Sequence, residues 1–198
     1  MTGIGQKGHI HPFNGKNIGF ISTRISGTDG VSLEIEKWAR VLEDLNCTCS
    51  YFAGELDRPE QSSHLCAKAH FKHPEIRAMH ERFFGANRRT AEQTAKITDT
   101  AAELKKELYA FIRKFSIDLI IPENCLAIPL NIPLGIALTE LISETGIPTI
   151  AHHHDFFWER KRFLYNAVWD YINMAFPPHL PFIKHVVINT SADNQLSL

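Results

Sequence analysis

With 198 residues, 44% of them hydrophobic and 22% charged, the chain is long enough for one substantial domain with an ordinary core. A formal net charge of -1 argues against a nucleic-acid partner met through bulk positive charge, and four scattered cysteines (Cys47, Cys49, Cys66 and Cys125) do not make a secreted disulfide scaffold. That cysteine usage makes a reducing cytoplasm the expected setting, and since no apolar run approaches the roughly 20 residues that cross a bilayer, no spanning helix is expected.

Residues 1–17 have no apolar signal region or cleavage signature and read as a flexible lead-in; residues 18–198 read as a single domain. The stretch IGFISTRISGTDGVSLEIEKWARVLEDL, from Ile18 to Leu45, reads as a buried strand, a glycine-bearing loop and an amphipathic helix. Ile18, Phe20 and Ile21 form the apolar β run, and Val31, Ile35, Trp38, Leu42 and Leu45 recur at helical spacing. Asp29 is the expected N-cap, and the helix start behind Gly27, Thr28, Asp29 and Gly30 is a candidate phosphate cradle. Those residues match neither G-x-G-x-x-G nor G-x-x-x-x-G-K-[ST], so no dinucleotide or NTPase motif is present, and a plain strand-to-helix turn stays open beside the anion site.

Asn46 to Ala53 reads as a second strand, with Cys47 and Cys49 on one face. From Leu56 to Arg89 the pattern weakens into an elaborated crossover holding a short helix, Pro74 to Phe84. Cys66 and His70 are four apart and His73 follows one turn later, a helical spacing that invites zinc, but no tight C-x-x-C or H-E-x-x-H unit supports a metal, and none is expected. Thr90 to Phe115 has a long helical period marked by Ile97, Ala101, Leu104, Leu108, Ile112 and Phe115. Ile117 to Pro122 reads as a parallel strand that puts Glu123 and Asn124 at its carboxyl end, where open α/β sheets bind ligands. Asn131 caps the next helix, which Gly146 and Pro148 stop, and Thr149 to Ala151 leads into His152-His153-His154-Asp155. A helix over Phe157 to Met174, the breaker FPPHLPF, a strand over His185 to Asn189 and a stub from Thr190 to Leu198 complete the chain.

Alternating strands and helices predict an α/β fold: a Rossmann-like, doubly wound, mainly parallel sheet of at least five strands with helices on both faces. Right-handed crossovers then put the loop after the first strand, Glu123-Asn124 and the HHHD run on one rim. Within HHHD, His152 and His154 share a face and His153 does not, which limits how many could bind one metal. Asp155 can orient a histidine, yet no Ser or Cys nucleophile accompanies it, and simple hydrogen bonding at the rim is the bland alternative. The run Phe156 to Phe163 mixes aromatics with cations; it suits sugar stacking, phosphate or a membrane surface, or else a helix with a solvated basic face.

The series IGFISTRISGTDGVSLEIEKWARVLEDL, IDLIIPEN, GIPTIAHHHDFFWER and HVVINTSADNQL, covering nearly the whole chain, resembles the N-terminal domain of GT-B glycosyltransferases, especially retaining glycosyltransferase family 4. The resemblance implies a two-domain enzyme in which this half binds the acceptor and a C-terminal domain grips a nucleotide-sugar donor. It implies that Gly27 to Gly30 approach the donor diphosphate and that His154, with Asp155, sits at the catalytic position beside the transferred hexose. No cofactor is implied, and in this family the leaving phosphate oxygen is held to deprotonate the acceptor, a carbohydrate, sugar phosphate or lipid, which would explain why no protein nucleophile stands out. Lipid-glycosylating relatives add peripheral membrane contact as an expectation.

The chain departs from the family pattern in having Asp29-Gly30 for a Gly-Gly pair and Asn46-Cys47 for a Gly-His turn. It also ends at Leu198 without the donor domain, so as it stands it is expected to transfer no sugar. A non-catalytic carbohydrate- or phosphate-binding module and a His- or metal-dependent hydrolase are the alternatives.

Overall fold

The computed structural model describes residues 12–188 and Leu196. The strands are β1 (Asn17–Ile21), β2 (Thr48–Ala53), β3 (Ser63–Leu65), β4 (Leu119–Pro122), β5 (Thr149–His153) and β6 (Ile183–Val187). They form one six-stranded, all-parallel sheet in the order β3-β2-β1-β4-β5-β6, the doubly wound Rossmann order. The helices are α1 (Gly30–Asp44), α2 (Pro74–Phe83), α3 (Ala91–Phe115), α4 (Ile132–Thr145) and α5 (Trp169–Ala175).

Strand alternation distributes the core between two faces. Ile18 and Phe20 of β1, with Cys49 and Tyr51 of β2, pack under Ile35 and Ala39 of α1. Ile21, Phe52 and Ile120 point the other way, onto Leu104, Leu108 and Phe111 of α3 and Leu134, Leu138 and Leu141 of α4. Helices therefore cover both faces, as a parallel sheet requires. α4 is buried almost all round, because α5 packs on the side away from the sheet through Ile172, Ala175 and Phe176. Helix ends follow their sequence signals: Thr90 and Gln93 close a capping box on α3, Asn131 accepts the Leu134 N–H of α4 at 3.1 Å, and Gly146 ends α4 in the left-handed region.

Four expectations differ. β3 is a sixth strand inside the region read as crossover; its residues Ser63, His64 and Leu65 carry no apolar run, and only parallel pairing to Tyr51, Phe52 and Ala53 makes them a strand. The helix expected over Phe157 to Met174 is broken into 3₁₀ turns at Phe157–Glu159 and Lys161–Phe163, with only α5 continuous. Its aromatics are clustered rather than spaced at helical period. Phe156 and Phe163 turn inward onto Ala127 and Ile128, and Asn166 bonds both the Phe163 carbonyl and the Val168 N–H. The last strand begins at Ile183, two residues before His185; its expected end at Asn189 and nearly all of the stub lie outside the described residues. Asn17, placed in the lead-in by sequence, already pairs in β1, while residues 1–11 lie outside the description.

Candidate functional site

The carboxyl ends of β1, β4 and β5 meet on one rim, and Glu123 is its buried centre. It follows β4 directly, bridges to His152 across the sheet, and is 0% exposed. Its Oε1 accepts from His152 Nδ1 at 2.8 Å and from His154 Nε2 at 2.6 Å, while its Oε2 has no hydrogen-bond partner. Burying a carboxylate is costly unless donors surround it, and the two imidazoles supply them. The hydrogen bond to Glu123 raises the His154 pKa above its ordinary value of 6.5, against the opposing effect of burial. Trp38 of α1 closes the other side of His152, ring to ring at 4.8 Å.

Asn124 locks this arrangement. It sits at φ 57, a left-handed conformation that Asn tolerates better than most residues, and it bonds His152, His154 and Asp155 at the β5 end. Its N–H donates to the His152 carbonyl, its Oδ1 accepts the His154 N–H at 3.1 Å, and its Nδ2 donates to Asp155 Oδ1 at 3.2 Å. Asp155 in turn pairs with Arg160. As the strand period requires, His153 points away from this group. It bonds His185 at 2.8 Å, and since His185 Nε2 faces the Pro178 carbonyl, His185 Nδ1 is the acceptor and the buried His153 Nδ1 is left without a partner. Burial pushes the His153 pKa down to about 3.

The loop after β1 closes the rim. Ser22 Oγ donates to the Glu123 carbonyl, and Arg24 pairs with Asp29 at 2.8 Å. Asp29 caps α1 as expected, accepting the Val31 and Ser32 N–H groups and the Ser32 hydroxyl. Burial acts to raise its pKa, but hydrogen bonds from Ser32 and Arg24 hold it below the ordinary carboxylate value. The first free amides of the helix are thus already taken by a side-chain carboxylate. Gly27 adopts φ 72, open to glycine without strain, and its N–H donates to Asp57.

Between these elements lies a cavity of about 210 Å³, whose lining includes the polar Ser22, Arg24, Asp29, Glu123, Asn124 and Arg160 and the apolar Val31, Phe71, Ile128 and Leu130. Of the residues singled out from sequence, Asp29, Glu123 and Asn124 line it; His154 and Asp155 sit behind it, bonded to Glu123 and Asn124; Gly27, Thr28 and Gly30 are not on its wall. Arg160 comes from the aromatic and cationic run read as suited to phosphate contact; Arg24 and Phe71 were not anticipated, although a cation in the loop after the first strand is a readable signal. Cys66, His70 and His73 do not converge: among the described residues the one group with metal-ligand geometry is Glu123, His152 and His154, whose ligand atoms lie within 4.8 Å of one another. All four cysteines are unbridged. No helix among the described residues is long and apolar enough to cross a membrane.

No protein-family model matches the chain. It is 33% identical over 172 residues, 85% of its length, to the mannosylglucosylglycerate synthase of Thermotoga maritima, of which it covers 39%. It is 29% identical over 189 residues, 90% of its length, to the mannosylglucosylglycerate synthase of Petrotoga mobilis, of which it covers 41%. The chain thus spans about two-fifths of the length of the relatives it matches. Over most of that span it is a homologue of part of these glycosyltransferases, on an all-parallel α/β sheet.

Proposed function

We propose that this chain is the acceptor-side domain of a retaining, GT-B type glycosyltransferase that moves a hexose from a nucleotide-diphosphate sugar to an acceptor, completed by a C-terminal donor-binding domain. The observation that carries this reading is the pairing of His154 with the buried Glu123 on the ligand-binding rim of a Rossmann sheet, in a chain homologous to glycosyltransferases. Glu123 holds the imidazole through Nε2 and Asn124 holds the His154 backbone N–H, which leaves Nδ1, an acceptor in the neutral ring and a donor once the ring is protonated, for a hydroxyl of the transferred sugar. Asp155 acts through Asn124 as a positioning residue. The relatives' name points to a glycosylated glycerate as product, and we take an acceptor of that kind as the working assignment.

The loop from Gly27 to Gly30 meets the donor diphosphate only at its edge in this reading, because Asp29 occupies the α1 amides. The test is product formation: the full-length protein, given nucleotide-diphosphate hexoses and a glucosylated glycerate, yields a new glycoside by mass spectrometry, and residues 1–198 alone yield none. The Glu123, His152 and His154 group also favours a second reading, a metal-dependent hydrolase. Stoichiometric metal retained by the purified protein, lost in Glu123→Gln, would decide for it.

A further inference from the structure

We propose that the rim cavity lined by Arg24, Arg160 and Glu123 is a subsite for a hydroxy-acid group of the acceptor, the two guanidiniums taking its carboxylate and Glu123 one of its hydroxyls. This builds on the transferase reading and names the acceptor class. Two arginines reach one cavity of about 210 Å³ from separate parts of the chain, the loop after β1 and the turn after β5. Each is steadied by an aspartate, Arg24 by Asp29 and Arg160 by Asp155, and each pairing leaves some of the five guanidinium donors for a ligand. Their side chains are 32% and 43% exposed, so those donors are presented rather than buried. Two such forks on one small cavity match a planar oxyanion, and Lys would not replace them.

Glu123 supplies the second half of the recognition. It is fully buried, lines the same cavity, and its Oε2 lacks a hydrogen-bond partner, a deficit that a ligand hydroxyl would remedy. Phosphate shares the oxyanion chemistry of a carboxylate. The wall, however, sets Asp29 and Glu123 against the two guanidiniums, and with no surplus of positive charge it favours a monoanion over a dianion. Phe71 and Leu130 offer the carbon side of the ligand an apolar surface.

The experiment is an amide NMR titration of the chain with glucosylglycerate, with glucosylglycerol, which lacks the carboxylate, and with inorganic phosphate. The acid is expected to shift amides near 22–31, 123–130 and 155–160 and to bind at least about tenfold tighter than the neutral analogue, as one charge-assisted contact implies. Arg24→Gln and Arg160→Gln are each expected to weaken it about tenfold, with Arg160→Lys between. Arg160, the more exposed, carries the test if Arg24→Gln disturbs the α1 cap. Equal binding of acid and neutral analogue, phosphate bound tighter than the acid, an acid that moves no amide, or arginine variants without effect would overturn the subsite. In the full-length protein, hexose transfer at equal kcat/KM to both analogues overturns the subsite and leaves the transferase standing; arginine-dependent acid binding with no transfer overturns the transferase and leaves the subsite.

Discussion

Glu123 gathers two imidazoles on a single oxygen, so its loss strands both donors inside the rim. Glu123→Ala should destabilise the fold by about 3–5 kcal/mol, the usual cost of removing one partner from a buried charged pair, read as a shift in the urea midpoint. Glu123→Gln should cost less, because an amide oxygen in the place of Oε1 still accepts from the imidazoles and only the charge is lost. His153 and His154, adjacent in sequence, should titrate in opposite senses. The raised pKa of His154 contributes stability that is whole below its ordinary value of 6.5 and is lost as pH rises through the folded value. The depressed pKa of His153 contributes stability that is whole above 6.5 and is lost as pH falls towards about 3. Urea midpoints measured from pH 4 to 9 should therefore show His154→Gln flattening the alkaline decline and His153→Gln flattening the acid one. Parallel curves for both variants would refute the assignment of the two environments.

At the scale of elements, tight approach fixes where the crossover leaves the sheet. A Cβ on Gly54, just past β2, would lie 2.0 Å from the His70 backbone nitrogen, and backbone cannot rotate aside as a side chain can. Gly54→Ala should cost about 1–3 kcal/mol by overpacking, lowering Tm by about 2–4 °C per kcal/mol, with no change in sheet content by circular dichroism. Elements with a strong period or a cap were legible: β1, α1, α3 and α4 form where Ile18, Asp29, Thr90 and Asn131 mark them. β3 was not, since a three-residue edge strand written Ser-His-Leu owes its state to a neighbour rather than to its own pattern. Nor was the break after β5, where burial of Phe156 and Phe163 overrides a composition that local propensity favours as helix. In the site, the rim position of Glu123, Asn124 and His154 followed from topology. The carboxylate shared by two histidines did not, because no spacing rule links residues about thirty positions apart.

The whole molecule is a sheet whose crossovers place three chain segments on one edge: the β1 loop with Arg24, Glu123-Asn124 after β4, and His154 to Arg160 after β5. Function follows from that convergence, since each segment alone offers an ordinary cap, turn or pair. The most direct test is hexose transfer by the full-length protein, comparing wild type with His154→Ala after both are shown to be folded. The account predicts glycoside product from the wild type and a loss of at least about a hundredfold in kcat/KM for His154→Ala, the lower range for a positioned polar group at a reacting centre. No product from any nucleotide-diphosphate hexose, or wild-type rates in His154→Ala, would contradict it.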